Sequence, residues 1–367
     1  MKLIFFIVAF CLLSIRVYFS WAGKDREKKG LNSADMVIKS NNFYEEIKYL
    51  GKFQLTDDET AFRSISPGGY VKFWLNDEKL KAESNLQGQI EFTIYDGKNN
   101  VSPDDEAGKK LIARAIHEMI AWGYDADARM DRIFKQGGNK ALLKEIDSMR
   151  TDPVKMIYID RLFTVDSLSS EDLLALVNKI GTLGGDKTRY LKKLTASQLK
   201  DPQIDSAYFS IAGRLGADMD KVNTLQPILD QDSVSETDVF RIMAIGEKLG
   251  ADNDKSNLFG KLIDKGLIGG ARFDTLIRFA SYMGADMDKT NLYKKLMEIK
   301  TISDSQWITL INKASQLGAD MDKANLLKEI AQKMPRTEMM KSAYLTAAKS
   351  ISNDSDYGKA VRAVEQN

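Results

Sequence analysis

The chain has 367 residues, with 53 basic and 52 acidic side chains, one histidine and one cysteine. So even a balance offers no basic face for nucleic acid, and a single cysteine excludes an internal disulfide framework. The length allows two or three domains with a substantial core.

Met1-Lys2 precedes an apolar run from Leu3 to Ile15, and Ser20-Trp21-Ala22 supplies a small-x-small site. A short basic start, an apolar stretch and small residues at the cut describe a secretory signal peptide over residues 1–22. The rival is an uncleaved anchor, the only route to a membrane in this sequence. Arg16 opposes it, because a buried arginine costs about 2.5–3.5 kcal/mol on insertion scales. The sole cysteine, Cys11, lies inside the run behind Phe10, a poor match to a lipoprotein processing site. A periplasmic or secreted location is expected.

Residues 23–42 are polar and read as a tether. From Phe43 the pattern changes. Ile47-Lys48-Tyr49-Leu50, Tyr70-Val71-Lys72-Phe73-Trp74 and Ile90 to Tyr95 are rich in β-branched and aromatic residues. Turn residues such as Ser66-Pro67-Gly68-Gly69 separate them. Residues 43–104 are predicted to form a small antiparallel meander of four or five strands with one face against the first helices.

Residues 105–367 are predicted to be helical and repetitive. Gly216-Ala217-Asp218-Met219-Asp220-Lys221 returns at Gly250, Gly284 and Gly318, at a constant spacing of 34 residues. A fixed period of this size marks stacked supersecondary units. Each unit reads as two helices, A and B. Ser169, Asp201, Ser235, Gly269, Ser303 and Thr337 occupy the N-cap column of helix A, and Ser303 with Gln306 matches a capping box. Behind the caps runs an apolar stripe, as in Phe273, Leu276, Ile277, Ala280 and Met283, at the offsets of one helix face. Its fourth column is small (Ala212, Gly246, Ala280, Ala314, Ala348), which allows close helix approach. The glycine column is predicted to end helix A in a left-handed conformation, and Asp218, Asp252, Asp286 and Asp320 to cap helix B. Pro227 is predicted to kink or shorten its helix. Weaker copies stand at Gly123 to Asp127, at Leu183 to Asp186 and in the final copy, where Ser352 takes the glycine column.

Chemistry is sparse. His117 is the only histidine, and Ala121 stands where a second zinc ligand would be needed. No Gly-x-Ser-x-Gly elbow, phosphate loop or dinucleotide fingerprint is present, and no cofactor is expected. Two columns invite a functional reading. Asp218/Asp220, Asp252/Asp254, Asp286/Asp288 and Asp320/Asp322 offer oxygen ligands to calcium. The positive N-terminus of a helix and the following lysine oppose this, so helix capping is preferred. Asn223, Asn257, Asn291 and Asn325 recur in helix B although asparagine is mediocre there. They serve either a hydrogen bond to the adjacent turn or repeat, or a ladder for an extended peptide.

On these repeats the chain resembles a right-handed α-solenoid of the HEAT, armadillo or tetratricopeptide class. The Trp-x2-Leu-Gly-x2-Tyr signature of the last is absent, which favours a HEAT-like hairpin. Ser355 to Val361 and Ile65 to Tyr70 resemble exported bacterial proteins with a β-rich head, whose repeats also accompany antirepressor-type membrane metallopeptidases. The peptidase motif is missing, so no activity carries over. The resemblance implies an envelope protein acting through its repeat surface. The expectation is therefore a non-enzymatic exported scaffold for a protein or peptide. A calcium-stabilised extracellular repeat and a hydrolase with an acidic groove are the alternatives.

Overall fold

A computed structural model describes residues 16–19, 33–40, 43–165 and 168–366. The apolar run of the expected leader lies outside the described residues. The chain divides into two compact units, Met1–Leu168 and Ser169–Asn367. The division falls later than the sequence suggests, so the first three helices belong with the sheet.

The first unit holds an antiparallel sheet in the order β1-β2-β3-β6-β7-β8-β9 and a separate β4–β5 hairpin. The strands are β1 (Arg16–Phe19), β2 (Ser33–Ser40), β3 (Phe43–Leu50), β4 (Phe53–Leu55), β5 (Phe62–Ile65), β6 (Tyr70–Leu75), β7 (Glu78–Ser84), β8 (Ile90–Asp96) and β9 (Asn99–Asn100). Two corrections to the sequence reading follow. The end of the expected tether is the full-length strand β2, which pairs with β3 along its length. Within the span read as the leader, Arg16–Phe19 forms an edge strand paired with β2.

Strand alternation places Ile47, Tyr49, Val71, Phe73, Leu80, Ala82 and Ile94 on the buried face, as period two requires. Helix α1 (Glu106–Ala121) covers this face, meeting β3, β7 and β8 with buried Leu111, Ile112, Ala115, Ile116 and Met119. Gly123, with φ of 94°, ends α1 in the left-handed region. The adjacent Tyr124 hydroxyl accepts the Phe53 amide at 2.9 Å and donates to the Phe53 carbonyl at 3.0 Å. Helices α2 (Ala126–Glu145) and α3 (Asp152–Leu162) complete the unit.

The second unit is an array of helical hairpins. Its A helices are α4 (Ser170–Thr182), α6 (Pro202–Gly213), α8 (Glu236–Glu247), α10 (Ala271–Ser281), α12 (Asp304–Ala314) and α14 (Glu338–Ala348). Its B helices are α5 (Lys187–Leu191), α7 (Asp218–Leu229), α9 (Asp252–Asp264), α11 (Asp286–Leu296), α13 (Asp320–Lys333) and α15 (Asp354–Glu365). The caps of helix A are as predicted at Ser169, Asp201, Ser235 and Thr337, and Ser303 with Gln306 forms the complete capping box. The exception is α10, whose N-cap is Gly270 at φ 53° rather than Gly269 and has no side-chain cap. Here Gln306 Nε2 of the next unit donates to the Gly270 carbonyl at 3.1 Å instead.

Every residue of the stripes in α8, α10 and α12 is buried, including the small column. A Cβ on Gly246 would meet Phe259 Cε1 at 2.4 Å, so this unit needs glycine where its neighbours carry alanine. Pro227 lies inside α7, two residues before its end, and α7 runs 12 residues against 13, 11 and 14 for α9, α11 and α13.

Candidate partner-binding face of the repeat array

The repeated word has a structural purpose that differs from the predicted one. Helix B starts after alanine (Ala217, Ala251, Ala285, Ala319), with no side-chain cap, so the following aspartate does not cap its own helix. It reaches the next unit. Asp218 Oδ2 accepts the Gly250 amide at 2.6 Å and the Ala251 amide at 3.0 Å. Asp252 accepts Gly284 and Ala285, Asp286 accepts Gly318, and Asp320 accepts Ser352 and Asn353. The other carboxylate oxygen faces the lysine of the same word, at 3.1 Å for Lys221, 3.9 Å for Lys255, 3.0 Å for Lys289 and 3.1 Å for Lys323.

None of these glycines has a positive φ, so backbone strain does not explain the column, and at Gly216 a Cβ would meet nothing within 4 Å. A Cβ at Gly250, Gly284 or Gly318 would lie 3.3, 3.5 or 3.0 Å from the incoming carboxylate. The Ala251 amide first, then Lys221 and the Gly250 amide, hold Asp218 below the usual carboxylate range against the opposing effect of burial. Lys323 and then the Asn353 amide lower Asp320 in the same way.

The proposed calcium ligands are therefore split between two environments. The first aspartate of each pair is committed to amides and lysine. Of the second, Asp220 is exposed, Asp254 and Asp322 are half-buried and Asp288 is buried. Among the described residues no group of three or more histidine, cysteine or acidic side chains could hold a metal ion.

The asparagine column lies on the surface. Asn223, Asn257, Asn291 and Asn325 are all exposed. Asn257 donates to Asn253 in its own helix at 3.1 Å, and none of the four makes a side-chain bond to a neighbouring repeat among the described residues. Four residues before each asparagine, on the same face, stand Met219, Asn253, Met287 and Met321. The three methionines are 65%, 70% and 60% exposed. Sequence reasoning passed over them, although an apolar residue recurring between two acids was the available signal.

Further along the B helices, side chains bridge successive units. Lys261 donates to Gln226 at 2.6 Å, Lys295 to Asp264 at 2.7 Å, and Glu329 meets Lys294 at 2.5 Å. Each B helix packs on the next from α5 to α15, so methionines, asparagines and bridges form one continuous face.

The first unit gathers ionisable groups that the sequence did not reveal. Arg129, only 8% exposed, binds Glu59 through Nε, Glu145 through Nη1 at 2.6 Å and the Tyr158 hydroxyl at 3.3 Å. Arg129, Glu59 and Glu145 border a cleft of about 800 Å³ beside β4–β5. Both glutamates serve as acceptors for the Arg129 guanidinium. Glu45 and Glu118 form a second cluster with Arg150, which is bidentate to Glu118 and 3.6 Å from Glu45. Burial, then the charge of Glu118, pushes Glu45 up to about 7. On the outer face of the sheet, Lys48, Lys72 and Lys81 are register neighbours across three strands. Asp35 and Glu83 pair with the outer two, and Lys72 lies over the Tyr70 ring. His117 is exposed.

Compared with known proteins, the chain matches no family model and no curated protein. No helix among the described residues is long and apolar enough to cross a membrane.

Proposed function

We propose that this chain is an exported, non-enzymatic scaffold that holds a protein or peptide partner on the B-helix face of its repeats. One observation carries the reading. An amide side chain recurs at four positions, stays exposed in all four and, among the described residues, bonds to no adjacent unit. The stacking contacts are made elsewhere, by the aspartates and the apolar stripes, so the asparagines and the exposed methionines beside them are spare for a partner. Helical-repeat arrays present long surfaces of this kind. Asparagine can donate to and accept from an extended backbone at once, and methionine adapts to varied apolar surfaces. The units are read as HEAT-like hairpins in a right-handed solenoid, and export is read from residues 1–22.

The test is capture from an envelope extract with the purified chain and with its Asn257→Ala/Asn291→Ala variant. A partner retained by the parent and lost by a variant of unchanged melting temperature supports the reading. A variant that is destabilised yet keeps the partner assigns the column to folding and sinks it.

A further inference from the structure

The bridges between successive B helices are made by different pairs, and the junction of α13 with α15 leaves one column open. Gln226 and Lys294 occupy equivalent positions in their units, and each is bridged by the residue 35 positions later, Lys261 and Glu329. Lys328 is the next member of that column. The residue 35 positions after it is Ala363, which is too short to reach. Lys328 accordingly has no ion pair among the described residues, and neither has Arg362 on the facing helix. The space left between α13 and α15 is a groove of about 340 Å³. Ala324 and Ala363 form its floor, and Asn325, Lys328, Gln332, Lys359 and Arg362 stand around it. Of its three cations only Lys359 is neutralised, by Asp356 at 2.7 Å.

We infer that this groove is an acidic-peptide site: a carboxylate of an extended peptide takes the place that Glu329 fills beside Lys294, bound by Lys328 and Arg362. The inference rests on the reading of the B face as a peptide surface and gives that peptide its chemistry. Arginine grips a carboxylate with two parallel bonds, and a lysine without a counter-ion attracts the same group. The amides of Asn325 and Gln332 offer donors and acceptors for the peptide backbone. At the three preceding junctions the equivalent position holds a long side chain from the next unit, Lys261, Lys295 or Glu329, where the last junction has Ala363. The same asymmetry orients the partner, with its acidic part toward the C-terminal units.

The test uses the full chain and a fluorescein-labelled hexapeptide of alternating glutamate and serine, with the glutamine version as control, followed by anisotropy. Expected are saturable binding of the acidic probe, about tenfold weaker binding of the control, and weakening as salt is raised. Ala363→Glu restores the missing bridge to Lys328. It should weaken the acidic probe about tenfold without lowering the melting temperature, and Lys328→Ala with Arg362→Ala should do the same. Failure of the parent to bind the acidic probe overturns the inference, as does equal binding by Ala363→Glu. If the acidic probe ignores Ala363→Glu but is lost in Asn257→Ala/Asn291→Ala, the groove is rejected while the wider B-face reading stands. If the acidic probe responds to Ala363→Glu and not to the asparagine variant, the groove stands without that wider reading.

Discussion

Asp252 Oδ2 accepts the amide hydrogen of Gly284, 32 residues further along the chain, at 2.6 Å. The same bond recurs at Asp218, Asp286 and Asp320, so the commonest word in the sequence is a joint between units. Removing one joint leaves two turn amides without their charged acceptor, and hydrogen bonds to charged groups contribute about 1.5–3 kcal/mol. Asp252→Ala should lower the stability of the array by about 1–2 kcal/mol after allowance for solvent. Asp220→Ala, at an exposed aspartate with no partner among the described residues, should change it by less than about 0.5 kcal/mol. Urea midpoints for the two variants measure the contrast, and equal losses would refute the joint.

The joints also set an acid limit. Asp218, Asp286 and Asp320 are held below the ordinary carboxylate pKa in the folded chain. Unfolded carboxylates protonate near pH 4, so the stability these groups contribute is complete above that value. It is lost as pH falls through their lower folded values. The variant with all three changed to asparagine should be less stable than the parent at pH 7. The gap should narrow as the pH is lowered toward 3, as read by denaturant melts at each pH.

Glu45 works in the opposite direction. Its carboxyl is buried beside Glu118 and keeps its proton to about pH 7, while the unfolded residue ionises near its model value of 4.5. Folding is therefore penalised progressively as pH rises from 4.5 to 7 and by a constant amount above. Glu45→Gln keeps the shape and removes the charge. It should stabilise the first unit by roughly 2–3 kcal/mol at pH 8 and by nothing at pH 4. Thermal melts at the two pH values check this, and a gain independent of pH would count against it.

The small column predicts overpacking. Ala280 is fully buried in the stripe of α10, and Ala280→Leu should cost about 1–3 kcal/mol. Gly246→Ala should cost an amount in the same range, because its methyl would collide with the Phe259 ring. Any gain in helix propensity from alanine, about 1 kcal/mol, works against that loss. Calorimetry on both variants decides which effect is larger at position 246.

Much of the architecture is legible along the chain because its determinants are local. The stripe of α12, from Trp307 to Leu317, follows the 3.6-residue period, and Ser303 with Gln306 announces its start. The reach of Asp218 to Gly250 is not local, and a period shows that both recur without showing that they meet. The glycine column is legible in the period, but none of its members is left-handed, and the carboxylate approaches tightly only at Gly250 and Gly318. Strand β2 escaped notice because Asp35 and Lys39 on one face hide Met36 and Ile38 on the other. The asparagines were visible as candidates, but their exposure depends on how the hairpins pack. The consequence of Ala363 depends on a lysine 35 residues earlier, which only the fold places opposite it.

Each joint is formed by a side chain on one unit and main-chain amides on the next. A unit therefore recognises its successor by backbone shape, and Ser352 succeeds in the place of glycine. Copies joined in this way are interchangeable parts. Excising or duplicating a whole period rejoins an aspartate to an equivalent turn, so genes encoding such arrays can lengthen or shorten by unequal exchange. The outward residues of each copy can then diverge independently while the couplings between them stay the same.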